Sequence, residues 1–194
     1  MRALGGHPDR RASCARLRSL HLVRHAFPEI ENRRNQVMKI IVIGTGQSLR
    51  GDDDAGLEAV RQWQATFPQT VSRREIRVET VELIGLGLLD LLVEVEAAIL
   101  VDAVHSSAPP GTLFRLGPHE VSALRPDSQS VHGWGVAETL QLGRSLDPTL
   151  NDFRITLIGI AGREFGLGAG LSPEVRGALG RAVEMIEAEV RSLL

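Results

Sequence analysis

The chain has 194 residues, 43% of them hydrophobic, 24% charged and 4% aromatic, with a formal net charge of −2. That is enough apolar material for one well-filled core of an ordinary soluble domain, and the absence of Tyr beside so few aromatic rings argues against a broad stacking surface for nucleic acid. The charge is uneven: residues 1–37 hold eight Arg against three acids, or +5, which leaves −7 for residues 38–194.

The basic stretch comes first. It never supplies the uninterrupted apolar core of about 7–15 residues that a secretory signal needs, and it carries no recognisable nucleic-acid-binding module. Residues 1–37 are therefore expected to be a poorly ordered N-terminal extension, and residues 38–194 the working domain. The single cysteine, Cys14, lies in the extension. The domain thus contains no disulfide, no cysteine-ligated zinc and no Cys nucleophile. No apolar run reaches the length of about 18 residues that a membrane span requires, so the expected setting is the cytoplasm, with neither membrane nor nucleic acid as partner.

From Met38 the run Ile40-Ile41-Val42-Ile43 reads as a buried parallel strand, apolar on both faces, that breaks at Gly44-Thr45-Gly46. Asp52-Asp53-Asp54 then stand where a helix N-terminus exposes unpaired N–H groups, ahead of Leu57, Val60 and Trp63 at helical spacing. A second strand is expected over 76–83 and a leucine-rich helix over 86–95. Ala97 to Val101 reads as another buried strand running into Asp102. Residues 111–116 pair locally, and a polar loop then leads to His132 and a helix over 136–144. The last strand is expected over 154–160. After a Gly-rich loop, Ser172-Pro173-Glu174 caps a final helix carrying Val175, Leu179, Val183, Ile186 and Val190 on one face.

Strands alternating with helices at this spacing give an α/β fold: a three-layer α/β/α sandwich around a mostly parallel central sheet. Ligands of such sheets sit beyond the C-terminal strand ends. Here those ends carry Asp52 to Asp54, Asp102 and, through a longer loop, His132. The glycine loop fails as a dinucleotide fingerprint because Leu49 stands where a third glycine is needed, and no Gly-Lys-Ser/Thr follows to cradle a triphosphate. Asp53 and Asp102 can offer hard oxygen ligands and His132 an imidazole nitrogen to an exchangeable divalent metal. Read one by one, the same residues are a helix cap, a strand-end turn and a helix-entry residue. The two aspartates can also form an acid/base pair, which requires one of them to hold a raised pKa. No Gly-x-Ser-x-Gly elbow and no His-Glu-x-x-His occurs. Ser106, Ser107, Ser130 and Ser172 read as loop or cap serines, and His105 and His119 as surface loop residues.

The run from Gly44 to Gly56 resembles the opening motif of the hydrogenase maturation proteases, in which Gly-x-Gly-Asn precedes an acidic pair and a glycine. Asp102-Ala103 with Pro110-Gly111, Ser130-Val131-His132 with Gly135, and Gly159-Ile160 with Gly170-Leu171-Ser172-Pro173 and Val175 resemble that family's remaining blocks, in the same order. The resemblance implies an aspartyl-type endopeptidase that removes the C-terminal extension of a nickel-iron hydrogenase large-subunit precursor, after a basic or histidine position. It also implies that Asp53, Asp102 and His132 meet nickel already placed in the precursor, so that nickel is a feature of the substrate. Gln47 replaces the usual Asn, Asp54 a frequent Gly, and Ala161 to Arg163 lacks the acidic-proline character often found there. The other functions compatible with these residues are a non-catalytic metal-sensing chaperone of the immature subunit and a different metal-dependent hydrolase on the same fold.

Overall fold

The computed structural model describes residues 40–82, 85–123, 136–151 and 153–194; the basic stretch 1–37 and His132 lie outside them. Among the described residues the sheet has five strands: β1 (Ile40–Gly46), β2 (Ile76–Glu82), β3 (Ala97–His105), β4 (Leu113–Leu116) and β5 (Arg154–Gly162). Their order is β2-β1-β3-β5-β4. The pairs β1–β2, β1–β3 and β3–β5 are parallel, and only the edge strand β4 runs antiparallel, against β5.

Strand β1 shows why both of its faces must be apolar. Ile40 and Val42 pack on one side of the sheet with Ala59, Val60 and Trp63 of α1 (Ala55–Thr66) and with Val175, Leu179, Val183 and Ile186 of α6 (Pro173–Leu193). Ile41 and Ile43 point the other way. They meet Leu88 of α3 (Gly87–Leu91), Val121 of α4 (Pro118–Ala123) and Leu140 of α5 (Val136–Leu146). The period-2 alternation of a strand sends consecutive isoleucines into two separate cores, which makes the three layers. One turn of helix, α2 (Pro68–Val71), follows α1. No helix of the described residues is long and apolar enough to cross a membrane.

Several local expectations shift. Gly44, Thr45 and Gly46 lie within β1, because they stay in register with Thr80, Val81 and Glu82 of β2. β3 continues past Val101, so Asp102 sits inside a paired strand opposite Gly159, and His105 is that strand's last residue, stacked on Phe165 with ring centroids 3.8 Å apart. The helix expected over 86–95 spans only Gly87–Leu91, with Glu94 beyond it at a φ of 65°, a conformation that stops a helix. Conversely α4, which holds His119, occupies what reads as loop. Its signal is the glutamate half of a capping box: Pro118 opens the helix and the Glu120 carboxylate accepts from Gly117 N–H at 2.7 Å. Ser172 caps α6 as expected, accepting from Val175 N–H.

Helix α6 is also tied down by buried acids. The indole N–H of Trp63 donates to Glu187 at 2.9 Å, where Thr70 (2.8 Å) and Arg191 (2.7 Å) donate as well. Burial pushes the Glu187 carboxyl up, but those three donors bring it below its ordinary value. Removing the indole donor by Trp63→Phe deletes one of these bonds and leaves a gap beside Glu187. We expect a loss of about 1–3 kcal/mol in urea unfolding; unchanged stability would show that the bond contributes nothing.

Candidate functional site

The strand order turns at β1 and β3: the chain leaves β1 toward β2 on one side and returns as β3 on the other. A crevice at the carboxyl ends of the strands is expected at that seam. The helix that follows β1 comes very close to it. A Cβ on Gly56 would collide with the carbonyl oxygens of Thr45 and Val101, so only glycine lets the start of α1 press against both strand ends. Just before it, Gly51 to Asp54 form a 3-10 turn, and Gly51 adopts a φ of 57° with its α-carbon against the Glu164 carbonyl.

The three consecutive aspartates of that turn go to three different places. Asp52 is wholly buried. One carboxylate oxygen accepts from Ser172 N–H at 2.7 Å; the other accepts from Arg163 N–H (2.9 Å), Glu164 N–H (3.0 Å) and the Ser172 hydroxyl (3.1 Å). Burial raises the Asp52 carboxyl, but these donors outweigh it and hold the group below its ordinary value. Asp54 points outward and pairs with Arg61 at 3.4 Å. Neither N-terminal cap position makes a side-chain capping bond, so Asp52 is a long-range tether and does not cap the helix.

Asp53 is buried on the site side, and its charge bears on Asp102. Asp102, partly buried in β3, has its carboxyl pushed up to about 6. Burial is the main cause; repulsion from Asp53 adds to it, while the Thr45 hydroxyl and the Ala103 N–H pull the other way. The structure thus brings Asp53 and Asp102 close enough for the Asp53 charge to help raise the Asp102 carboxyl, the kind of perturbation that clusters at functional sites. No group of three His, Cys, Asp or Glu among the described residues is placed to hold a metal ion. Thr45 is a buried neighbour of these strand ends, its hydroxyl donating to the Val101 carbonyl at 3.3 Å, that its position between two glycines concealed. The tethered loop was likewise unreadable, because its partners stand 111 to 120 residues from Asp52.

A family model described as hydrogenase maturation protease matches residues 73–189. The chain belongs to the hydrogenase maturation protease family. It is 28% identical over 160 residues to the hydrogenase 2 maturation protease of Escherichia coli strain K12, covering 79% of this chain and 92% of that protein. A putative hydrogenase maturation protease of Methanocaldococcus jannaschii is 27% identical over 160 residues, covering 78% and 96%. Among solved structures, the [NiFe] hydrogenase maturation protease HybD from Thermococcus kodakarensis superposes with a TM-score of 0.60 at 27% identity, over 78% of this chain and 99% of that one. The HybD endopeptidase of E. coli has the same fold, with a TM-score of 0.68 at 24% identity over 79% and 93%. The protein is therefore a hydrogenase maturation endopeptidase on the family's α/β fold.

Two stability measurements separate the roles of neighbouring acids. In the protease, Asp52→Asn turns an amide N–H₂ toward groups that are themselves donors. Unfolding stability should drop by at least about 2 kcal/mol, and an unchanged midpoint would remove the tether. Asp102 has the opposite sign. Its folded value of about 6 lies above the ordinary value of 3.8, so stability is full below pH 3.8, falls as pH rises from there, and bears its whole cost above pH 6. Asp102→Asn should therefore gain up to about 3 kcal/mol at pH 8 and nothing at pH 3.5. A variant less stable than the parent at pH 8 would contradict this origin of the shift.

Proposed function

We propose that the protease removes the C-terminal extension of a nickel-loaded hydrogenase large-subunit precursor in the cytoplasm, acting as an aspartyl-type endopeptidase through Asp53, Asp102 and His132. The observation that carries this reading is the Asp53–Asp102 pair at the crest of β1 and β3, with one carboxyl held near neutrality. The precursor docks over the strand ends, among the loops that follow Gly46, His105 and Gly162. The carboxylates, as acceptors without donors of their own when ionised, meet the nickel that the substrate carries. That ion supplies Lewis acidity beside the scissile peptide. A group with a proton affinity close to ambient pH, such as Asp102, is suited to take a proton from the attacking water and return it to the departing amine. His132, outside the described residues, is assigned the third position from its place in the sequence motif.

The test is intact-mass spectrometry of a nickel-loaded precursor incubated with substoichiometric protease, beside a matched nickel-free precursor. We expect the tail to be lost only from the loaded sample, with several cleavages per protease molecule. Asp53→Asn and His132→Ala should abolish processing while the unfolding transition stays cooperative. Full processing by both variants would overturn the site. A stable complex of unchanged mass would make the protein a chaperone of the subunit.

A further inference from the structure

Among the described residues, two large apolar side chains stand in water side by side at the rim of the site. Leu49 is 69% exposed and Leu167 82%. A single exposed leucine is ordinary, but these two share a construction. Leu49 is the third residue of a turn closed by Arg50 N–H to the Gln47 carbonyl at 3.0 Å. Leu167 is the second residue of another turn, closed by Ala169 N–H to the Gly166 carbonyl at 3.4 Å, in which Gly168 takes the φ of 77° that a type II turn requires. Gly168 N–H donates to the Leu49 carbonyl at 2.8 Å, so the two turns are joined. Turn corners ordinarily carry Gly, Pro, Asn, Asp or Ser. A Cβ added to Gly166 or Gly168 would meet nothing, so the second turn stands clear of the domain and folding gains little from a leucine at its corner.

Two features point to what covers them. One is continuity with the path of the substrate. The Leu49 turn runs directly into Gly51, whose N–H donates to the Ala169 carbonyl at 3.0 Å. Both leucines therefore ride on the tethered loops that carry Asp53, four residues after Leu49. A polypeptide laid over the strand ends at Asp53 and Asp102 reaches this rim. The other feature is charge. Charged side chains of these loops are engaged within the chain: Arg50 with the Phe165 carbonyl (3.4 Å), Asp54 with Arg61 (3.4 Å), and Arg163 with Glu174 (3.2 Å) and Glu164 (3.9 Å). What the two turns offer a partner is apolar, and their hydrogen bonds reduce the ordering entropy lost on docking.

We propose that Leu49 and Leu167 form one apolar docking contact of the protease, seated against an apolar depression on the hydrogenase large-subunit precursor. This rests on the precursor being drawn to Asp53 and Asp102, and the experiment separates the two.

The measurements are kcat and KM for cleavage of the nickel-loaded precursor, and Kd for the nickel-free precursor by surface plasmon resonance. They are made on the parent, Leu49→Ser, Leu167→Ser, the double variant and Leu167→Met, with urea unfolding and sedimentation velocity of each. Serine suits a turn corner, so the fold should persist. Each serine variant should raise KM and Kd about 10-fold, the scale of a central apolar contact, while kcat at saturating precursor is kept. Leu167→Met, still apolar, should behave as the parent does. Parental KM and Kd in the double variant would overturn the contact and leave the catalytic site standing. A fall in kcat at unchanged KM would overturn it as well. A parent that sediments as a dimer beside a monomeric double variant of parental KM would assign the surface to a second copy of this chain. Binding by the parent without cleavage would sink the proposed function, and the Kd comparison would still decide the contact. A parent that neither binds nor cleaves the precursor would overturn both.

Discussion

A carboxylate taken wholly out of water is destabilising unless enough donors converge on it. Asp52 is such a group, and the site is built around the donors it collects. They are three backbone N–H groups and a hydroxyl, all from the segment between β5 and α6. The segment answers with backbone bonds of its own: Asp52 N–H to the Glu164 carbonyl at 2.6 Å, Gly51 N–H to the Ala169 carbonyl at 3.0 Å, and Gly168 N–H to the Leu49 carbonyl at 2.8 Å. Ser172 serves both sides. Its hydroxyl donates to Asp52 and accepts from the first turn of α6. One charge thereby fixes the turn after β1, the Gly-rich loop after β5 and the start of α6.

What that tether holds still is less comfortable. With the turn fixed, Asp53 is kept close enough to Asp102 for the two charges to repel, and burial adds to the strain on Asp102. Gly56 lets the start of α1 lie against the carbonyls of Thr45 and Val101, which keeps the turn that carries Asp53 close to β3. The arrangement has the usual form of a working site: a locally unfavourable pair of groups supported by favourable bonds elsewhere. Stability and, in the function proposed above, chemistry fall to adjacent residues, Asp52 for the first and Asp53 for the second.

Much of the architecture was readable along the chain. The doubly apolar strands β1, β3 and β5, the Ser172-Pro173 cap and the amphipathic α6 are patterns within a few residues of one another, and the structure reproduces them with shifted ends. The ends shifted because pairing with neighbours extends a strand through residues that look like turn formers. Gly44 to Gly46 remain in β1, and Asp102 to His105 remain in β3 because β5 pairs with them throughout. The short helix α4 reads as loop although Pro118 and Glu120 mark its start, while the leucine-rich run after β2 has helical composition but folds into little more than one turn.

The sequence by itself determined the α/β/α class, the order of its elements and the resemblance that points to Asp53 and Asp102. Each of those depends on local periodicity or on a contiguous motif. Only the tertiary structure decided which of three identical neighbours does what. A 3-10 turn has three residues per revolution, so Asp52, Asp53 and Asp54 leave it in three directions: inward to a loop more than 110 residues away, toward Asp102, and outward to Arg61. Their surroundings are set by chain segments that no spacing along the sequence could have placed beside them.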